Sequence, residues 1–335
     1  MARGIRLFIA GFGVVGQALA EQLLARQSEL KVRVGGVNVV GISDSRSSVS
    51  NPKGIDLAGV LAAKRKRGSV GKEGAPETLE LLSTLAPDVF VEVASAGRLD
   101  GEPGLTRIRT ALGAGISVVS SNKMPLARSY GPLTAMAKAS GVALRYSGCV
   151  GGGLPFLELG EACASADPVT KIDAVLNATS NYVLSKMERG GLSLKDALRE
   201  AQRTGYAERD ASLDLGGVDA ACKIVILANH VLGRDLSFGD VKVMEGIERL
   251  RSSAVESTRS KGKKLRMVAS ATRSPTVRLV ELPESDPIAV DGASNAVRFR
   301  CERLGDVVLA GEAGGGPATS TAVMRDILAI GTLRR

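Results

Sequence analysis

A short apolar run at residues 5–10 leads directly into Gly11-Phe12-Gly13-Val14-Val15-Gly16, and from there into apolar spacings of three and four that continue to about residue 30. Strand, GxGxxG and helix in this order constrain the fold more than any other feature of the chain. The first glycine permits a tight turn, the second lets backbone approach a pyrophosphate, and the third lets the helix pack close to the strand. The amino end of the helix then presents unpaired N–H groups to an anion. The expectation is a Rossmann-type, doubly wound α/β sheet that binds a dinucleotide.

The next stretches extend that pattern. A second strand is expected over 34–42, closing on Ser43-Asp44-Ser45-Arg46. An acid at the end of this strand usually meets the adenosine ribose, whereas an arginine there can hold a 2′-phosphate; this chain has both Asp44 and Arg46. The hydroxyl-rich turn is expected to let Asp44 swing aside while Arg46 and one of the run Lys64 to Arg67 close on a phosphate. That run reads otherwise as a solvated helix face. On this balance NADP is favoured, with NAD also usable. Further buried strands are expected at 88–95 and 117–121, each preceded by a helix. Ligands in such sheets bind beyond the carboxyl ends of the strands, so Ser95, Ala96, Asn122 and Lys123 should line the crevice with Gly11–Gly16. A helix at 126–140 and a strand at 142–147 complete this half.

The segment GCVGGGL at 148–154 breaks the pattern. A nucleotide-binding domain of residues 1–148 is therefore expected, followed by a second, α+β domain of residues 149–310, to which the resemblance described below assigns substrate binding and dimerisation. Its strand-like runs near 171–177, 266–271, 277–282, 297–303 and 307–310 suggest a mainly antiparallel or mixed sheet with one face covered by helices. The loop Ala313-Gly314-Gly315-Gly316-Pro317 opens a last helix, and residues 311–335 are expected to return to the first domain, where Gly315 and Gly316 would cap the cofactor.

Composition narrows the function classes. The 335 residues suit two domains with ample cores, 44% of them are hydrophobic, and no apolar run approaches a membrane span. The formal charge of +9 could suit nucleic acid, but Trp is absent and aromatics are 3%. No nucleic-acid-binding signature accompanies the charge, so a small anionic ligand is the better match. The early apolar run enters the glycine motif rather than a cleavage site, so no signal peptide is read. Cys149, Cys163, Cys222 and Cys301 show no metal spacing, which fits a reducing cytoplasm.

The chemistry is sought at GYAERDASLDLGGVDAACK, residues 205–223, where four acids and a lysine precede an apolar helix. Asp219 and Lys223 lie one turn apart on it, close enough for a carboxylate to orient an ammonium or a water. An exposed ion pair is the bland alternative. His230 lies further along the same helix and reads as structural.

The chain resembles the homoserine dehydrogenases, in a short form without fused aspartokinase or regulatory domains. The resemblance rests on GFGVVG at 11–16, SNKMPLA at 121–127, VGGGLPF at 150–156, NATSNYVL at 177–184, GYAERDASLDLGGVDAACKIVIL at 205–227 and AGGGPATS at 313–320. It implies NAD(P)-dependent interconversion of L-aspartate 4-semialdehyde and L-homoserine, on the route to threonine, methionine and isoleucine. It also implies Lys223 as proton donor, Asp219 orienting it, Lys123 polarising the carbonyl or touching nicotinamide, and Glu208 taking the substrate ammonium with Asp214 in support. Tyr206 and Thr179 join the substrate site. Hydride delivery to an aldehyde leaves an alkoxide that must take a proton, which agrees with a cationic acid in the site. The resemblance further implies a homodimer and a Na⁺ or K⁺ site on the backbone carbonyls of Val150, Gly152 and Leu154. The glutamate just upstream in relatives is here Ser147, so affinity for the ion should fall.

Two other functions stay open from sequence. A phosphorylating semialdehyde dehydrogenase would need a nucleophilic cysteine, for which Cys149 is the candidate, together with a base. A non-enzymatic redox-sensing module would bind the nucleotide without turnover.

Overall fold

The computed structural model describes residues 4–73, 77–94, 99–312 and 314–333. The chain divides into two compact units, residues 1–153 with 315–335, and residues 154–314.

In the first unit β1 (Ile5–Ala10), α1 (Val14–Ala25), α2 (Gln27–Val34), β2 (Val37–Ser43), β3 (Ser47–Ser50), α3 (Leu57–Arg67) and β4 (Lys72–Glu73) come first. They are followed by α4 (Thr78–Leu85), β5 (Val89–Glu92), α5 (Gly104–Gly113), β6 (Ser117–Ser120), α6 (Lys123–Ala139) and β7 (Leu144–Arg145). The sheet order is β4-β3-β2-β1-β5-β6-β7. From β2 through β1 and β5 to β7 neighbours are parallel, so each needs a crossover helix, and the strands read as nearly unbroken Val/Ile/Phe runs because both faces are covered.

Three local differences from the sequence expectations have physical causes. Beyond Ser43 the chain turns tightly and returns as β3, paired antiparallel to β2, with Asp44 N–H donating to the Ser47 carbonyl at 2.9 Å. The helix expected to run to residue 30 is interrupted at Arg26, whose φ of −110° is not helical. Helix α6 starts at Lys123 rather than 126, because Pro125 falls in the first turn, where its missing N–H costs no hydrogen bond. Pro132 further along lacks a donor, and the helix kinks at Ser129.

The second unit contains α7 (Phe156–Ala166), β8 (Val169–Val175), α8 (Ala178–Gly190), α9 (Leu194–Arg203), α10 (Ser212–Leu215) and α11 (Val218–Leu232). After these come β9 (Val243–Met244), α12 (Ser252–Ser260), β10 (Lys263–Ala271), β11 (Pro275–Pro283), β12 (Asn295–Cys301) and β13 (Asp306–Gly311). The order β13-β12-β8-β10-β11-β9 is antiparallel except for the β11–β9 pair. Helices α7, α8, α11 and α12 pack on this sheet. Arg266 of β10 is fully buried, but Glu188 and Asp291 accept from its guanidinium at 2.8 and 2.7 Å, so its charge is compensated.

The last helix, α13 (Gly315–Leu333), belongs to the first unit and packs along α1. A Cβ on Gly316 would sit 2.3 Å from Val14 Cγ1, so the contact requires glycine. Ile327 and Val323 of α13 join Leu7, Ile9, Val89 and Val119 in one apolar core. Among the described residues no helix is long and apolar enough to cross a membrane.

Candidate functional site

In the first unit the glycine motif forms the expected turn. Gly11 has φ +98°, and a Cβ there would lie 2.4 Å from the Ala94 amide nitrogen, so only glycine lets the turn pass the end of β5. A Cβ on Gly16 would meet the Gly11 carbonyl oxygen at 2.2 Å, which draws α1 tightly onto the turn. Gly13, by contrast, has nothing within 4 Å of where its Cβ would be. The backbone there is open to a pyrophosphate at the amino end of α1, between Phe12 and the pair Val14 and Val15. These features fit a dinucleotide.

Beyond β2, a cavity of about 390 Å³ is lined by Asp44, Arg46, Thr78, Leu79, Thr106 and Arg107 among others. Arg46 is exposed at it. Asp44 does not swing aside. One of its oxygens accepts from Arg46 N at 2.9 Å, Ser47 N at 2.8 Å and Ser47 Oγ at 3.1 Å, and the other from Lys64 Nζ at 2.8 Å and Val70 N at 3.1 Å. Burial raises its pKa, but Lys64 and the amides of Arg46 and Ser47 outweigh burial and hold the carboxyl below its ordinary value. Lys64 is also bound, to the Gly68 carbonyl at 2.8 Å.

Asn122 is buried at the amino end of α6, its N–H donating to Ser120 Oγ at 3.0 Å, and Lys123 is the first residue of that helix. Ser95 and Ala96 lie outside the described residues. Cys149 is buried in a short 3-10 turn and its thiol donates to the Ser120 carbonyl at 3.4 Å, an arrangement that presents no nucleophile. In that same turn Ser147 donates from N and Oγ to the buried Asp326 of α13, at 2.8 and 2.7 Å. Arg325 donates to the Gly153 carbonyl at 3.3 Å. A carboxylate thus does reach the position that lacks a glutamate, but from another helix, and a guanidinium is bound to the Gly153 carbonyl within the 150–154 segment. The Leu154 carbonyl accepts from Phe156 N at 2.9 Å.

In the second unit the acid and lysine of α11 meet. Lys223 Nζ lies 2.6 Å from Asp219 Oδ2 and donates to the Leu176 carbonyl at 2.7 Å. The pair is no surface bridge, since the side chains are only 14% and 9% exposed. Asn177 ties the site together. Its Oδ1 accepts from Ser180 N at 2.8 Å, capping α8, while its Nδ2 donates to Asp214 Oδ1 at 2.6 Å and Asp219 Oδ2 at 2.9 Å. This residue was missed as a site residue by sequence reasoning, although an asparagine before a helix start is a capping signal. Thr179 Oγ1 donates to the Tyr206 carbonyl at 2.8 Å, and the Tyr206 ring stacks on Tyr182 with centroids 4.6 Å apart. Glu208 is exposed on the segment before α10, whose backbone at Glu208 and Arg209 accepts from Gln202 Nε2. An ammonium with three donors, two of them fixed, beside a carboxylate is arranged to deliver a proton along the remaining direction.

The profile described as the NAD binding domain of homoserine dehydrogenase matches residues 11–147, and that described as homoserine dehydrogenase matches residues 155–328. The chain belongs to the homoserine dehydrogenase family. It is 32% identical to a homoserine dehydrogenase of Methanocaldococcus jannaschii, with 97% of this chain and 98% of that one covered. It is 33% identical to the NAD(+)-dependent homoserine dehydrogenase of Pseudomonas canavaninivorans, covering 97% and 96%. A hyperthermophilic archaeal homoserine dehydrogenase solved in complex with NADPH superposes with a TM-score of 0.86 at 29% identity, covering 99% of each chain. Both the open glycine turn and the Asp219–Lys223 pair fall within the matched regions.

Proposed function

We propose that this chain interconverts L-aspartate 4-semialdehyde and L-homoserine with NAD(P), and that the residues of α11 and the turns before it supply its acid-base chemistry. The observation that carries this reading is the Lys223 ammonium, fixed between Asp219 and the Leu176 carbonyl. Nicotinamide, when bound, supplies or accepts the hydride. As hydride arrives at the aldehyde carbon its oxygen becomes an alkoxide, and Lys223 Nζ gives that oxygen a proton. In the oxidative direction the lysine, as free amine, takes the hydroxyl proton. Asp219 holds the ammonium in place. Lys123 serves as a second cation, polarising the carbonyl or touching nicotinamide. Glu208 takes the substrate ammonium with Asp214 in support, Asn177 holding Asp214 beside Asp219, and Tyr206 with Thr179 shapes that side of the substrate site.

The nucleotide binds on Gly11, Phe12, Gly13, Val14, Val15 and Gly16, with Gly315 and Gly316 at the start of α13 and with Asn122. NADP is the preferred form. The negative charge of Asp44 is offset by Lys64, and Arg46 offers a forked donor at the cavity. NAD remains usable. For the carbonyl run 150–154 we infer that Arg325 and Asp326 stabilise the loop, so that Na⁺ and K⁺ have little to add. Equal activity in sodium, potassium and choline salts is expected, and strict dependence on one ion would contradict it. A homodimer formed through the second unit, in the cytoplasm, completes the proposal, and light scattering that returns a monomer would remove the dimer. The test of the reaction is oxidation of homoserine followed by reduced nicotinamide absorbance with NAD and NADP side by side. No turnover with either would overturn it.

A further inference from the structure

Strand β5 reads Val-Phe-Val and then Glu92, a carboxylate at the carboxyl end of a central parallel strand with no exposure to solvent. One oxygen accepts from Ala94 N at 3.1 Å. The other, Oε2, is buried, makes no hydrogen bond among the described residues, and lies 3.7 Å from Arg107 Nη1, an ion-pair distance but too long for a hydrogen bond. Burial pushes the Glu92 carboxyl up to about 7, with the Arg107 charge the largest influence against it. Arg107 itself sits in the first turn of α5, where the helix dipole disfavours a cation. Neither a buried carboxylate nor an arginine at the positive end of a helix recovers much stability from a 3.7 Å contact. Features that break local rules without structural return point to a ligand.

The Arg107 side chain is 21% exposed and lines the cavity that also holds Arg46 and Asp44. Arg46 reaches it from the β2–β3 turn and Arg107 from α5, so the two arrive from different elements. Leu79 and Thr106 supply apolar and hydroxyl surface to the same cavity. That combination suits a purine ring with its ribose.

Resting on the dinucleotide-binding reading above, we propose that Arg107 is a cofactor-binding residue whose guanidinium, with Glu92 behind it, lies against the adenine of the bound dinucleotide. A planar, delocalised cation favours an aromatic face, and this contact is common to NAD and NADP. Arg107 thus contributes affinity for the adenosine half, and Arg46 discriminates between the two cofactors.

The test is calorimetric titration of the full chain and its variants with NAD, NADP, ADP-ribose and nicotinamide mononucleotide. Arg107→Ala should raise the Kd of NAD, NADP and ADP-ribose in parallel, by about tenfold, and leave nicotinamide mononucleotide unchanged. Arg107→Lys keeps a charge beside Glu92, which guards against a folding defect, but lacks the planar fork, and should show the same parallel loss. Kd values for NAD and NADP within twofold of wild type in both variants would overturn the proposal, as would a loss confined to NADP. Wild-type protein that binds neither dinucleotide would instead overturn the cofactor reading on which the proposal rests.

Discussion

Lys64 Nζ donates to Asp44 Oδ2 at 2.8 Å, with the carboxylate side chain 4% exposed and the ammonium 17%. The acid that the fold would ordinarily direct at a ribose is here the centre of a turn, its two oxygens shared among Lys64 and the backbone of Arg46, Ser47 and Val70. Asp44→Ala should therefore behave as a stability variant, leaving a half-buried lysine and several amides without their acceptor. A loss of about 3 kcal/mol in urea unfolding is expected, with NAD and NADP weakened alike through the disturbed turn. Unchanged stability with selective loss of NAD would return Asp44 to the ribose.

Arg46 is assigned the opposite behaviour. It is exposed at the cavity and its side chain holds no part of the turn together, so Arg46→Ala should leave the melting temperature unchanged. A charge-assisted contact to phosphate is worth about 1.5 to 3 kcal/mol, or roughly ten- to a hundredfold in affinity. NADP should weaken by that factor and NAD hardly at all in a direct titration. Equal losses for both cofactors would show that Arg46 does not read the 2′-phosphate.

Glu92 makes stability depend on pH in a stated direction. Its folded-state carboxyl is pushed up to about 7 from an ordinary value of 4.5, chiefly by burial, and among the described residues the groups that oppose this are Arg107 of α5, the Ala94 amide and Asn122. The folded chain therefore keeps a proton that the unfolded chain loses. Stability contributed at pH below about 4.5 declines as pH rises towards 7 and is flat above it, by about 3 kcal/mol in all. Glu92→Gln cannot titrate, so the difference between it and wild type in urea unfolding should shift across this window. Parallel pH profiles would contradict the assignment.

Asn177 should matter more to turnover than to cofactor binding. Its amide donates to both Asp214 and Asp219, so Asn177→Ala removes a donor shared by two carboxylates, and the Lys223 ammonium loses its aim. A fall in kcat of one to two orders of magnitude is expected for a misplaced catalytic group, with the Kd of NADP unchanged. Asn177→Asp, which adds a third carboxylate, should be worse. Near-normal kcat in both variants would sink the role.

What could be read from sequence was what is local. GFGVVG is legible because three glycines at fixed spacing each answer a steric need within one turn, and the structure shows Gly11 and Gly16 crowded while Gly13 is open. Asp219 and Lys223 are legible because helical spacing alone places them together. Asn177 reaches Asp214 and Asp219 across 37 and 42 residues, and Asp326 reaches Ser147 across 179, so no local pattern announces either bond. The return of the chain as β3 is hidden by its serines, which suit a turn as well as a strand. Arg107 is not legible in the sequence, because an arginine in the first turn of a helix has the pattern of a surface residue and the buried carboxylate behind it comes from a different strand.

The most direct measurement is steady-state oxidation of homoserine by wild-type protein and Lys223→Ala, with cofactor affinity determined on the same preparations. Because the lysine acts on charge that develops in the transition state, its loss should lower kcat by roughly a hundredfold or more. Cofactor Kd should stay within about twofold, since the first unit is untouched. A Lys223→Ala protein that oxidises homoserine at near wild-type kcat would contradict the account.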